Sequence, residues 1–126
     1  MTSVARFCTL IVTLAGSALP AFAHHSFAAF DDSKQVTLKG TVREFQWTNP
    51  HSWLQLNVVD ADGKTTEWSV EMLSPNVLRR MGWTKSSVKP GDEVTVVIHP
   101  LRTGEPGGNM VSINDKSGQP IGGPEQ

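Results

Sequence analysis

Apolar and polar side chains alternate along five short segments of this 126-residue sequence, and a period of two is that of a β-strand with one buried face. Turn residues such as Asp62-Gly63 separate the segments, and an Asp-Gly pair between alternating runs is typical of a β-hairpin. The alternation predicts strands over residues 36–47, 52–60, 65–72, 93–99 and 110–115. Its inward positions predict a core that contains Leu54, Leu56, Trp68, Val94, Val96 and Ile98.

One segment between the third and fourth predicted strands has the period of a helix instead. Ser74 is a favourable N-cap, and Pro75 suits the first helical position because its missing N–H has no partner there. An apolar stripe then runs from Val77 to Met81, so a short helix is predicted over residues 75–81.

The first segment has the pattern of a strand that bends. Apolar residues or glycine occupy alternate positions from Val36 to Val42, and Phe45 and Trp47 continue the series one residue out of step. A phase slip close to Gly40 predicts a β-bulge. Three strands with a bent first strand, one helix and two further strands are the element order of the OB-fold, a five-stranded Greek-key barrel. We therefore predict an all-β, OB-like barrel with one short helix between strands three and four; a β-sandwich or another small barrel is the alternative.

The N-terminal residues have the pattern of a cleavable export signal. Arg6 precedes an apolar stretch over residues 7–19, and Ala21-Phe22-Ala23 places small residues at the positions that signal peptidase recognises. A membrane anchor is the alternative, but the apolar stretch is shorter than the ~20 residues of a spanning helix. We therefore predict cleavage after Ala23 and a periplasmic or secreted mature protein with no membrane span.

Cleavage at this point would leave a chain the size of one domain. The single cysteine, Cys8, lies inside the signal, so the mature chain would hold neither a disulfide nor a thiolate ligand. The predicted organisation is a signal peptide over residues 1–23, an OB-like barrel with an N-terminal arm over residues 24–116, and a tail over residues 117–126. Its Gly and Pro content predicts that this tail is disordered.

Several short motifs spread over the predicted mature chain resemble those of a bacterial family. They are HHSF at 24–27, FD at 30–31, WTNPH at 47–51, GW at 82–83, PGD at 90–92 and HPLR at 99–102. The family comprises small exported proteins of unknown function, with HHSF directly after the signal peptide and an N-P-H loop. The resemblance implies an extracytoplasmic location and the same domain boundaries, but it implies no chemistry and no functional residues.

All four histidines lie in the predicted mature chain, and cleavage would make His24 its first residue. The α-amine and imidazole of His24, with one further imidazole, can form a T-shaped three-nitrogen site that resembles the histidine brace of several exported copper proteins. Amine and imidazole nitrogens suit Cu(II). Strands one and four of an OB barrel pair, so His99 is expected near the N-terminal arm, which is also long enough to reach His51. The predicted metal ligands, for copper or another divalent ion, are His24, His25, His99 and His51.

A second candidate site is the outer face of strands two and three, together with the loops over residues 48–51 and 100–109, where OB barrels commonly bind ligands. Its outward positions are Trp53, Gln55, Asn57, Glu67, Ser69 and Glu71. A surface with two carboxylates and no Lys or Arg at these positions would repel phosphates, so we predict no nucleic-acid partner. A protein of the periplasm or a small ligand is the expected partner instead.

The sequence contains no recognisable catalytic motif. It has neither a G-x-S-x-G elbow nor a phosphate-binding G-x-x-x-x-G-K-[ST] loop. Glu67 and Glu71 would lie about 13 Å apart along a strand, which is too far for a glycosidase pair. Eleven Lys and Arg against twelve Asp and Glu also exclude a strongly basic surface. We therefore predict a non-catalytic binding or accessory protein, either with a metal site or as an interaction module without metal.

Overall fold

Five strands close into a barrel in the computed structural model, which describes residues 27–122. The elements, in chain order, are a 3-10 helix (Phe27–Ala29), β1 (Val36–Gln46), β2 (Trp53–Val59), β3 (Thr65–Glu71), α1 (Pro75–Arg80), β4 (Glu93–Pro100) and β5 (Gly107–Asn114). The predicted signal peptide, His24 and His25 lie outside the described residues, as do residues 123–126.

The order of the strands around the barrel is β1-β2-β3-β5-β4. β1 pairs antiparallel with both β2 and β4, and β3 pairs parallel with β5, which closes the barrel. The helix α1 lies between β3 and β4 in the sequence, with Ser74 accepting a hydrogen bond from the Val77 amide as its N-cap. This arrangement confirms the predicted OB-like barrel with one short helix.

A β-bulge in β1 lets this single strand pair with two different strands of the barrel. The register with β2 shifts between Val42 and Glu44, so Arg43 is the extra residue, as the phase slip predicted. The first half of β1 pairs with β4 and the second half with β2. Gly40 lies where the two halves meet, and a Cβ there would stand 2.8 Å from the carbonyl oxygen of Asn57. Only glycine allows the two backbones to approach this closely.

The predicted core is confirmed at five of its six positions. Leu54, Leu56, Val94, Val96 and Ile98 are buried. Trp68 is only half-buried, because β5 pairs with β3 only from Ser69 to Glu71. At Trp68, β3 pairs with β2 but has no strand along its other edge, and the indole ring is partly open to solvent.

Two segments differ from the sequence-based expectation. β5 begins at Gly107 rather than Met110, because its first residues pair with both β3 and β4. Residues 117–122 contact the barrel, where the Gly and Pro content predicted disorder. The Ile121 amide donates to the carbonyl oxygen of Ile113 at 3.0 Å, and the Ile121 side chain packs against the core. Burial of this one apolar side chain favours an ordered turn over a free tail.

Candidate functional site

His51 lies in the short loop between β1 and β2 and contacts a carboxylate from β3. Its Nδ1 contacts Oε1 of Glu71, the last residue of β3. The loop is closed by Thr48, whose hydroxyl donates to the His51 carbonyl oxygen at 2.9 Å. The sequence placed His51 among the metal ligands and Glu71 on the ligand face, so the structure joins one residue from each candidate site.

Glu71 is buried although it points away from the barrel core. It is only 7 % exposed, while its cross-strand neighbour Trp53 is half-buried. A buried carboxylate is costly without a partner, and His51 supplies one. Residues from loops beside the end of β3 shield Glu71 from solvent, and the alternation of apolar and polar residues in the sequence carries no information about this shielding.

Glu71 opens onto a cavity of about 390 Å³ in the outer wall of the barrel, which we call the wall pocket. The side chains around it are mostly apolar, and its only charged residues are two glutamates. Its lining is Ala29, Phe30, Trp53, Ser69, Glu71, Leu101, Glu105, Pro106, Gly107 and Gly108. Trp53, Ser69 and Glu71 were predicted as ligand-face residues, and the five lining residues from Leu101 to Gly108 lie in the 100–109 loop of the same predicted surface; Ala29 and Phe30 were not predicted. The wall pocket is thus an apolar cavity with a carboxylate at its inner end.

Two consecutive glycines form part of the pocket lining. A Cβ on Gly107 would lie 2.8 Å from the Leu101 Cδ1 and 3.2 Å from the Ser69 carbonyl oxygen. A Cβ on Gly108 would lie 2.5 Å from the His99 carbonyl oxygen. Strand packing therefore requires bare backbone at Gly108, and the missing side chain at Gly107 leaves room for a ligand. A Gly-Gly pair in a predicted loop was the one sequence signal of this close approach.

The N-terminal arm forms one side of the wall pocket. Phe30 makes an antiparallel bridge with Leu101, just beyond β4, and is buried. The Arg102 amide donates to the Ala29 carbonyl oxygen at 2.9 Å, and the Arg102 guanidinium donates to the Ala28 carbonyl oxygen at 3.2 Å. Phe30 thus holds the arm against the barrel. The start of the described chain is therefore held at the pocket.

Asp31 fastens the arm on the side away from the pocket. Its amide donates to the Pro100 carbonyl oxygen at 2.9 Å. Its carboxylate accepts a hydrogen bond from the Ser33 hydroxyl at 2.6 Å and pairs with Lys34 at 3.0 Å. The Ser33 hydrogen bond, followed by the Lys34 contact, lowers the pKa of Asp31 to about 2. The carboxylate is therefore charged throughout the physiological range.

His99, at the end of β4, does not contact His51 or Glu71 in the described structure. Its Nδ1 donates to the Lys34 carbonyl oxygen at 2.8 Å, because a carbonyl can only accept. His99 and Glu71 both pair with Asn109, so they lie on strands roughly 10 Å apart. Within residues 27–122, no three His, Cys, Asp or Glu residues are close enough together to hold a metal ion.

The ligand face of β2 and β3 has the predicted composition and one additional residue. Trp53 pairs with Glu71, Gln55 pairs with Ser69 and Asn57 pairs with Glu67, so these six residues form three cross-strand pairs. The guanidinium of Arg43 reaches this face and binds Glu67, with 3.1 Å between Nε and Oε2. Arg43 is the bulged residue of β1, so strict alternation could not place it.

Comparison with known proteins adds the family. A family model matches residues 11–110. The chain belongs to DUF6152, a family of unknown function. No curated protein matches this DUF6152 chain. Among the described residues, no helix is long and apolar enough to cross a bilayer.

Solved structures similar to this DUF6152 protein include two crystal forms of Rim1, a mitochondrial single-stranded DNA binding protein from S. cerevisiae. Form 1 has 10% sequence identity and a TM-score of 0.49, with 74% of this chain and 97% of Rim1 covered. Form 2 has 13% identity and a TM-score of 0.48, with 66% and 94% covered. The OB-like assignment rests on the strand order and register given above.

Proposed function

We propose that this DUF6152 protein is an exported, non-catalytic binding or accessory protein that binds copper or another divalent metal beside the wall pocket. The observation that carries the proposal is the contact between His51 Nδ1 and the buried Glu71 carboxylate. A metal-binding histidine commonly donates its second ring N–H to a carboxylate or a backbone carbonyl, which fixes the tautomer and the ring orientation.

Both described histidines have Nδ1 beside an oxygen acceptor. His51 Nδ1 contacts the Glu71 carboxylate, and His99 donates from Nδ1 to the Lys34 carbonyl oxygen. In each neutral ring the lone pair is then on Nε2, the atom that would bind a metal. Glu71 is a positioning residue in this proposal rather than a ligand, since it holds the His51 ring from behind.

The mature N-terminus would supply the remaining nitrogens. If the signal is cleaved after Ala23, the chain begins with the α-amine and imidazole of His24, followed by His25. His24 is five residues before Ala29, which lines the wall pocket, so its backbone can reach at most roughly 17 Å from there. The third ligand is either His51, whose Nδ1 contacts the pocket residue Glu71, or His99, which directly precedes the residues that pair with the arm. Imidazole and amine nitrogens together suit Cu(II).

A Cu(II) titration of the mature protein tests the proposal. Adding one alanine before His24 removes the free histidine amine but keeps every side chain, and it should weaken Cu(II) binding strongly. Glu71→Gln should weaken binding by about 10–100-fold, the usual effect of removing a carboxylate behind a metal-bound histidine. Glu67→Gln is the matched control, because Glu67 lies on the same face but contacts Arg43 instead of a histidine.

Each variant distinguishes a part of the site. His51→Gln should weaken binding more than His99→Gln if His51 is the third ligand. Equal Cu(II) affinity in the native, extended and His51→Gln proteins would reject the metal site. Mass spectrometry of the exported protein should give a chain that begins at His24, and a start at Phe27 or later would also reject it.

The second candidate function is a protein-interaction module that uses the β2–β3 face without metal. The observation in its favour is the set of three aligned cross-strand pairs, which presents Trp53 beside polar groups. In this case the N-terminal extension has no effect, and replacing Trp53 or Glu67 disrupts partner binding. Neither proposal includes a nucleic-acid partner, because the face carries two carboxylates and only one guanidinium, which Glu67 already pairs.

A further inference from the structure

We infer that the wall pocket is a separate site, and that it binds a small organic amine with a single aromatic ring or a similarly compact apolar body. The pocket is a cavity of about 390 Å³, toward the lower end of the ~300–1,000 Å³ of small-molecule sites. It is lined mostly by apolar residues, with carboxylates at its inner end and its rim. This combination selects a ligand that is cationic at one end and apolar at the other.

The charge of the ligand follows from the charged residues of the pocket. Glu71 and Glu105 line it, and no Lys, Arg or His is among its lining residues. The Glu71 Oε1 contacts His51, and within residues 27–122 no hydrogen bond or ion pair uses Oε2. A buried carboxylate beside mostly apolar side chains attracts a cation more strongly than one in water. An ammonium group can therefore bind Glu71 at the inner end of the pocket.

The shape of the ligand follows from the walls. Trp53, on β2, gives the pocket a flat apolar surface. Leu101, just beyond β4, gives it a branched apolar surface, and Phe30 pairs with Leu101. Gly107 presents bare backbone, and the methyl group that alanine would add there would occupy space next to Leu101. An aromatic ring fits between such surfaces, and an indole face also attracts a nearby ammonium group.

This site can be tested separately from the proposed metal site, although both use Glu71. The metal proposal uses Nε2 of His51 and the amine of His24, whereas the pocket uses the carboxylates of Glu71 and Glu105. The two sites share Glu71, which orients His51 in one and anchors the amine in the other. A variant that loses the His24 amine should therefore lose copper but keep the organic amine.

Titration with phenethylamine tests the inference, and phenethyl alcohol is the uncharged comparison ligand. Binding is followed by the NMR shift of the Trp53 indole N–H in metal-free protein. We expect phenethylamine to bind at least about tenfold more tightly than the alcohol, and Glu71→Gln to abolish that preference. Glutamine has nearly the same size as glutamate and keeps one side-chain oxygen that can face His51, so the fold should be retained. Glu44→Gln, on β1 and outside the pocket, should leave both affinities unchanged.

Two further variants do not depend on the stability of Glu71→Gln. Glu105→Gln, at the exposed rim, should reduce phenethylamine binding by a smaller factor and leave phenethyl alcohol unchanged. Gly107→Ala should weaken both ligands, because the methyl group takes up pocket volume. Equal binding of the two ligands to the native protein, or an unchanged preference in both glutamate variants, would overturn the inference. The protein extended before His24 should retain phenethylamine binding, so this site can hold even where the metal proposal fails.

Discussion

Gly107 and Gly108 are adjacent in β5, but replacing them with alanine should have different effects. Gly108→Ala should lower the stability of the protein, whereas Gly107→Ala should weaken ligand binding with little effect on stability. The Gly108 Cβ would lie 2.5 Å from the His99 carbonyl oxygen and 2.6 Å from the Ile98 Cδ1. The first of these atoms is backbone in the paired strand β4, so it cannot turn away as a side chain does. The Gly107 Cβ would meet the tip of Leu101, which can rotate.

The size of the effect follows from these contacts. Relieving the Gly108→Ala clash requires β4 and β5 to separate by nearly 1 Å to reach an ordinary contact of about 3.5 Å. Forcing one methyl group into a packed site typically costs about 1–3 kcal/mol. Alanine also makes the unfolded chain less flexible, which offsets about 0.4–1 kcal/mol where the native backbone accepts it. We therefore expect Gly108→Ala to be clearly destabilising and Gly107→Ala to lie within about 1 kcal/mol of the native protein.

Urea unfolding followed by tryptophan fluorescence measures both variants against the native protein. Gly108→Ala should lower the midpoint without changing the slope, and each 1 kcal/mol should lower the Tm by roughly 4–8 °C for a domain of this size. Gly107→Ala should keep its midpoint and lose affinity for phenethylamine. If Gly108→Ala unfolds with the native protein, or if Gly107→Ala is the less stable of the two, our account of the β4–β5 packing is refuted.

Two further perturbations test the core and the N-terminal arm. Leu56→Ala should destabilise the barrel by about 2–5 kcal/mol because Leu56 is fully buried. Val59→Ala, at an exposed position of the same strand, should change the stability by no more than about 0.5 kcal/mol. Equal urea midpoints for the two variants would contradict this contrast. The pKa of Asp31 is lowered from 3.8 to about 2 by Ser33 and then Lys34, so the stability from these contacts is present above about pH 4 and is lost as the pH falls toward 2. An NMR titration of the Asp31 carboxyl carbon should have its midpoint near 2, and a midpoint near 3.8 would show that the contacts do not form in solution.

Much of the barrel could be predicted because its signals are local. A strand with one buried face needs an apolar residue at every second position, so the alternation located β2 and β4 to within a residue or two. The N-cap at Ser74 and the proline after it located α1 for the same reason. The bulge was visible because one extra residue reverses the phase of everything that follows it, and the register shift at Arg43 is where that reversal occurs.

The candidate site was predictable only in part. Alternation placed Trp53, Ser69 and Glu71 on one outer face, and the register confirms that they are neighbours there. It could not predict that Glu71 is buried, because the period states which way a side chain points and not what covers it. The pocket beside Glu71 is lined in part by Phe30 and Leu101, which pair with each other although they are seventy-one positions apart in the chain.

The sequence by itself determined the strands, the helix, the bulge and the faces on which the histidines and glutamates lie, because each depends on residues within a few positions of one another. Only the tertiary structure decided that His51 meets Glu71, that β3 and β5 pair in parallel, and that the arm and the β4–β5 loop enclose a pocket between them. These contacts join segments that no sequence period relates. They form because closing the barrel satisfies the backbone hydrogen bonds of its edge strands, and that closure brings distant loops to the same end of the wall.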